Sequence, residues 1–273
     1  MTTLFIQYHT ISFINWKGGV GKTSISVNTA YAFSALMPED KILFIDADKQ
    51  GNASAWFEAD AEQGSLTDIL LEEKGAREVI QHTRYPNIDI IASDDSLIQA
   101  NYAILSDTDR VQTGILKKAL QEVQDDYTIC VIDYPPDSNV PVLNCLEVTD
   151  DIVVMALPNK FSLLGIQQLE RELQNYKADL GLDLRISGVL INQRTGYSRE
   201  FVEEIQAKYP TFPPIRGGRN TQHWLDKGIN QNKSVYELSP TSGFVQDMKK
   251  FINKLQLVIM SHYDNSIKVE WQV

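Results

Sequence analysis

Apolar residues in this chain fall into short unbroken runs separated by longer amphipathic stretches. Six runs stand out: ISFIN (11–15), KILFID (41–46), NIDIIA (87–92), TICVID (128–133), DIVVMAL (151–157) and ISGVLIN (186–192). They lack the polar alternation of a strand with one wet face, so they predict strands buried on both sides. Helix-length patterns lie between them, near 22–36, 94–106, 111–123, 138–147, 162–176 and 198–208. Strand and helix in turn predict an α/β fold with a doubly wound, mainly parallel β-sheet flanked by helices. The segment TFPPIRGGRNTQHW (211–224), with two prolines and two glycines, predicts an irregular loop, and 241–259 a closing helix. In 267–273, Ile267, Val269, Trp271 and Val273 alternate with polar residues, which fits either a half-buried strand or a frayed tail.

Composition narrows the class. With 273 residues, 43% of them hydrophobic, the chain can bury a large core, and one domain over 1–273 is expected, its core about 10–257 and its tail 258–273 open. No apolar run reaches the roughly 18 residues of a membrane span, and no signal pattern precedes the first strand, so a cytoplasmic protein is expected. Cys130 and Cys145 sit in apolar contexts without metal-ligand spacing and read as core thiols. The net charge is −11, yet residues 185–254 hold 11 Lys/Arg against 6 Asp/Glu, whereas residues 1–184 hold 13 against 28. The basic end is the C-terminal third.

The strongest chemical signal is KGGVGKTS (17–24), directly after the first apolar run and opening a helix. Gly18, Gly19 and Gly21, with Val20 between them, let successive backbone N–H groups turn toward one point, and the helix start at Lys22, Thr23 and Ser24 adds its partial positive charge. Such a loop cradles a polyphosphate, with Lys22 reaching the β- and γ-phosphates and the Thr23 hydroxyl on Mg²⁺. Trp16 occupies the place of the first glycine in G-x-x-x-x-G-K-[ST], and Lys17 follows it.

That departure resembles the deviant P-loop of the ParA/MinD family of ATPases, closest to its small ParA-type members. The resemblance implies ATP and Mg²⁺ as ligands, slow hydrolysis to ADP and phosphate, and a homodimer formed on ATP. In it, Lys17 reaches the nucleotide of the other subunit and acts with Lys22 on the phosphates. An iron–sulfur centre bridging two subunits, as in the related nitrogenase iron protein, would need the two cysteines to be placed otherwise.

The ends of the apolar runs carry the acids. Asp46 and Asp48 in KILFIDADKQGN lie on the edge expected to hold the P-loop, and two carboxylates there can serve a metal and an attacking water. The segment resembles the family's D-x-D-P-Q-G-N switch, with Lys49 in place of proline. The resemblance gives Asp46 to Mg²⁺ through water and Asp48 to the nucleophilic water. Asp133 closes TICVID and can accept hydrogen bonds from waters on Mg²⁺. Its D-x-P-P context matches the family, although Asp137 stands where a small residue is common. Asn192 resembles the position that contacts adenine. Arg216 falls in IRGGRN (215–220), where the family lines the base pocket with a proline-arginine-asparagine segment that here lacks its proline.

Fold and nucleotide do not settle the task. The leading expectation is a partition ATPase that binds DNA without sequence preference when dimeric, associates with the nucleoid, and is discharged by a ParB-like stimulating partner. Arg194, Arg216 and Arg219 fall at or near DNA-contacting positions of the resembling ATPases. Ion pairs with Glu200, Glu203, Glu204 or Asp226 are the plainer alternative for them. The second expectation is a membrane-recruited, MinD-like positioning ATPase using KKFINKLQLVIM (249–260), a segment that reads better as the last core helix than as a stable membrane anchor.

Overall fold

A computed structural model describes residues 8–107, 109 and 112–271. Among them β1 (His9–Ile14), β2 (Ile42–Asp46), β3 (Gln81–His82), β4 (Ile88–Ile91), β5 (Ile129–Asp133), β6 (Asp151–Ala156) and β7 (Ile186–Ile191) form one sheet, ordered β3-β4-β2-β5-β1-β6-β7. Every pairing is parallel except the two-residue β3 against β4. The helices are α1 (Lys22–Leu36), α2 (Asn52–Trp56), α3 (Leu66–Leu70), α4 (Ala76–Val79), α5 (Leu97–Ser106) and α6 (Ile115–Leu120). They continue with α7 (Val140–Glu147), α8 (Ser162–Leu180), α9 (Arg199–Gln206), α10 (Arg219–Gln231), α11 (Val235–Leu238) and α12 (Gly243–Tyr263). This is the doubly wound α/β fold that the pattern of apolar runs predicts.

Strand alternation divides the core into two layers. Ile11 and Phe13 of β1 join Ile25 and Phe33 of α1 and Phe251 and Leu255 of α12 on one face. Ile14 and Ile132 meet Leu97 of α5, Leu146 of α7 and Ile166 of α8 on the other. Along α12, Phe244, Val245, Met248, Phe251, Ile252, Leu255, Val258 and Ile259 are all buried, a continuous helical stripe. At about 1.5–3 kcal/mol for each large apolar side chain removed from water, freeing that stripe would be costly.

The structure revises several sequence-based expectations. Residues 211–224 are irregular only up to Gly218, after which α10 begins, burying Thr221, Leu225 and Gly228 at helical spacing. The glycine pair precedes a helix instead of extending a loop. The predicted helix near 111–123 is reduced to Ile115–Leu120, and residue 111 lies outside the described residues. No strand forms over 267–271, although Val269 and Trp271 pack on the core and Trp271 meets Phe212 edge-on; residues 272 and 273 lie outside the described residues. The alternation there records packing against the core without a neighbouring strand to pair with.

Register decides what shares an edge. Asp46 of β2 and Asp133 of β5 are direct partners, and Phe13 of β1 is also opposite Asp133. The ends of β1, β2 and β5, and the loops that leave them, therefore converge at the carboxyl-terminal edge of the sheet. Ligand sites of open α/β sheets form there.

Candidate functional site

The loop between β1 and α1 is built around Asn15 and two lysines. Asn15 Nδ2 donates to Met155 O at 2.6 Å, and its Oδ1 accepts from the Lys17 backbone N–H at 2.8 Å, so one side chain ties the loop to β6. Gly21, at φ +89°, closes the loop so tightly that a Cβ would lie 2.3 Å from Asn192 Nδ2, which itself donates to Val20 O at 2.9 Å. Only glycine fits. Lys22 is buried, and its Nζ donates to Asn15 O at 3.0 Å and Lys17 O at 3.3 Å. Burial lowers its pKa, and the charges of Asp133 and Asp48 pull it back up. Its ammonium thus lies within the curve of the loop. Thr23 and Ser24, partly exposed, form the first turn of α1 beside it.

Lys17 behaves differently. It is exposed, and its Nζ donates to Phe161 O at 2.7 Å, just before α8. A Cβ on Gly165 would come within 3.0 Å of its Nζ. Two lysines of one eight-residue motif therefore diverge, one turned into the loop and one lying along its rim.

The carboxylates are gathered as the register requires. Asp46 is fully buried; its Oδ2 accepts from the backbone N–H and the hydroxyl of Ser54, both at 2.8 Å, and its Oδ1 from Asp48 N–H at 3.1 Å. Burial still pushes it up to about 6. Asp48 is almost buried and accepts from Gln50 N–H at 3.0 Å, while Ser93 Oγ donates to its backbone carbonyl at 2.6 Å. Gly51, at φ +60°, lets the chain pass where a Cβ would be 2.7 Å from Ser93 O. Asp133 has no exposure, and among the described residues neither of its carboxylate oxygens has a hydrogen-bond partner. Burial and then the nearby Asp46 push it up to about 8; the Thr23 hydroxyl, close by but outside hydrogen-bond geometry, and the charge of Lys22 offset part of the rise.

An unpartnered buried carboxylate is an expensive arrangement. Asp133, Asp46 and the Thr23 hydroxyl make an all-oxygen donor set, which suits a hard divalent cation such as Mg²⁺ that keeps several of its waters. Asn15, Ser54 and Ser93 escaped the sequence reading. Asn15 and Ser93 act through side-chain contacts with backbone and Ser54 also through the Asp46 carboxylate, for which a single sequence carries no signal beyond their nearness to the motifs.

Beyond the phosphates the picture is mixed. Asn192, expected from the resemblance to contact the base, sits under the loop with its amide engaged by the Val20 carbonyl. Arg194 and Arg216 lie side by side, with Arg194 N–H donating to Ile215 O at 2.9 Å and Gly217 N–H to Arg194 O at 2.8 Å. Arg216 forms a two-pronged pair with Asp247, Nε to Oδ2 at 2.7 Å and Nη2 to Oδ1 at 2.9 Å. This partner is none of the four acids expected from sequence, because Asp247 is carried in by α12 from far along the chain. Arg194 and Arg219 are exposed, with Arg219 at the first position of α10. Glu203 pairs instead with Arg199 at 2.7 Å. Cys130 and Cys145 are fully buried, and burial pushes the Cys130 thiol up to about 12. Neither is presented to a second subunit, as a bridging cluster would require.

The two departures from the switch patterns meet each other. Lys49 Nζ lies 3.3 Å from Asp137 Oδ2, joining the loop after β2 to the loop after β5.

A family described as an AAA domain matches residues 8–186. The chain is 31% identical to the sporulation initiation inhibitor protein Soj of Bacillus subtilis, over 72% of this chain and 78% of Soj. It is 30% identical to the chromosome partitioning protein ParA of Caulobacter vibrioides, over 73% of this chain and 76% of that protein. Among solved structures, apo McdA of Cyanothece superimposes with a TM-score of 0.79 at 19% identity, covering 92% of this chain and 99% of McdA.

Proposed function

The chain belongs to the ParA/MinD family of P-loop ATPases, and on that premise we propose that it is a partition or positioning ATPase switched by MgATP. Lys22 and the loop N–H groups would neutralise the phosphates, and Thr23, Asp46 and Asp133 would hold Mg²⁺, Thr23 through its hydroxyl and the two carboxylates through water. The bound cation supplies charge stabilisation for phosphoryl transfer. Asp48, anchored at both its backbone and its side chain, positions the attacking water. Asn192 and Arg216 border the base.

The observation that carries the switch is the divergence of the two lysines. Lys22 is committed to its own loop, whereas Lys17 lies exposed on the rim, available to the phosphates of a facing subunit. A second ammonium ion supplied only on association makes dimerisation depend on ATP. Lys17→Ala is expected to retain nucleotide binding as a monomer and to lose the ATP-dependent dimer. Sedimentation with ATP and with ADP decides it: a Lys17→Ala dimer of wild-type affinity would overturn the reading.

The dimer is proposed to bind DNA without reading its sequence, through phosphate contacts doubled across two subunits. Arg194 and Arg219 are its first candidates, and Arg216 a weaker one because Asp247 already holds its guanidinium. A ParB-like partner would discharge the dimer by stimulating hydrolysis. A MinD-like membrane role is disfavoured by α12, whose apolar stripe is spent on the core. No helix among the described residues is long and apolar enough to cross a membrane.

A further inference from the structure

We propose that His9, Asp151 and His262 form a binding site for a divalent transition-metal ion of the zinc class, at the amino-terminal edge of the sheet. His9 opens β1 and the phosphate loop closes it, so the two sites are roughly 17–20 Å apart along a six-residue strand. His9 Nε2 lies 2.9 Å from Asp151 Oδ2, and His262 Nε2 lies 3.1 Å from both Asp151 oxygens. One ligand atom from each residue falls within 4.8 Å of the others. Bonds of about 2.0–2.2 Å to a tetrahedral zinc place neighbouring ligand atoms about 3.3–3.5 Å apart. Each histidine nitrogen needs to move away from the Asp151 carboxylate by only a few tenths of an ångström to reach that spacing.

The metal-free cluster is held by hydrogen bonds that an ion would replace. His262 Nε2 faces two carboxylate oxygens, while Arg185 Nη1 lies 2.9 Å from Nε2 and 3.3 Å from Nδ1, so without an ion the Nε2–H tautomer donates to Asp151 and Nδ1 accepts from Arg185. With a metal, the lone pair of His262 Nε2 takes the ion. The Arg185 side chain, about half exposed, turns to solvent once the ion's charge replaces its own.

The surroundings are those of a ligating histidine. His9 and Asp151 are buried, with exposures of 1% and 0%. His9 Nδ1 is 3.2 Å from the Tyr263 hydroxyl, so its N–H can donate there while Nε2 is free to ligate. Ser187 Oγ donates to Asp151 Oδ1 and orients the carboxylate. Two imidazoles and one carboxylate suit Zn²⁺, Co²⁺ or Ni²⁺, unlike the all-oxygen set at the phosphate edge. Three protein ligands leave one position for water. The ion would fasten the last turn of α12 to β1 and β6.

Isothermal titration and thermal melting of the chelator-treated full chain, without nucleotide and in excess Mg²⁺ to occupy the oxygen site, test this. One Zn²⁺ per chain is expected, with a rise in Tm that Mg²⁺ alone does not give. His262→Ala, at an exposed position, should weaken Zn²⁺ at least about 10-fold. It should also abolish the visible absorption of the Co²⁺-loaded protein. Arg185→Gln should tighten Zn²⁺, because the competing charge is gone. Absence of zinc binding to the wild type, unchanged affinity in His262→Ala, or weakened affinity in Arg185→Gln would each overturn the site and leave a hydrogen-bonded clamp.

Discussion

At the carboxyl-terminal edge of the sheet Asp133 is buried with neither oxygen partnered, whereas at the amino-terminal edge Asp151, equally buried, receives hydrogen bonds from His9 and Ser187. Burial acts to raise both. At Asp133 it prevails and the carboxyl rises to about 8; at Asp151 the hydrogen bonds and the charges of His9 and His262 hold it below its ordinary value. One fold thus treats the same side chain in opposite ways on its two edges. Where the chain supplies the partners, the carboxylate contributes to stability. Where it withholds them, the carboxylate is a cost in the ligand-free protein that a bound cation and nucleotide can offset.

The contrast is sharpest under substitution. Lys22→Ala, at the unsatisfied edge, should weaken MgATP binding by about 100-fold or more, with the fold intact, as calorimetric titration would record. Asp151→Asn should do the reverse: nucleotide binding survives, but breaking the buried cluster costs about 3 kcal/mol in urea unfolding. Asp133→Asn should stabilise the nucleotide-free protein by about 1–3 kcal/mol, while MgATP turnover collapses. If Asp133→Asn and Asp151→Asn shifted stability in the same direction, the distinction between the two edges would be lost.

Arg216 and Asp247 extend the comparison to a partnered pair next to the nucleotide edge. Burial would raise Asp247, but the hydrogen bonds and charge of Arg216 hold it below its ordinary value. A depressed carboxylate contributes stability above its unfolded pKa, and that contribution disappears as pH falls through the folded value. Arg216→Ala should therefore cost about 1–3 kcal/mol at pH 7 and progressively less below about pH 4. Melting curves across that range would show it. Arg194→Ala and Arg219→Ala, with no such partner among the described residues, should leave stability within about 0.5 kcal/mol, and any effect of theirs should appear in DNA retention.

How much of this was legible in the sequence depended on the range of the forces involved. The phosphate loop, Asp46, Asp48 and Asp133 could be read because strand ends and glycine spacing are local, and parallel register then brings the ends together. α2, α3 and α4 were not read, since each is five residues or fewer, too short for a helical period to declare itself. α10 was missed because its glycine pair and polar face outweighed a stripe of only three buried positions. The amino-terminal cluster joins residues 9, 151 and 262. His9 falls before the first apolar run and His262 beyond the predicted end of the last helix, so nothing along the chain marked them as neighbours.

The smallest expected effect comes from Lys49 and Asp137, and it separates burial from location. This pair lies at the same edge as Asp133, in the loops after β2 and β5, but its side chains are 40% and 36% exposed. Water already solvates both charges, so the pair gains little Coulomb energy and loses side-chain freedom; exposed pairs of this kind contribute about 0.2–1 kcal/mol. Asp137→Ala and Lys49→Ala should each change stability by less than about 1 kcal/mol. Their double-mutant coupling should shrink further in 0.5 M salt, where charges are screened over about 4–5 Å. Asp133→Asn, a few residues away, should be insensitive to that salt because its carboxylate has no access to ions in solution. If Asp137→Ala instead raised the stability of the ligand-free chain as much as Asp133→Asn, crowding of negative charge along this edge would explain both, and burial of the unpartnered carboxylate would not.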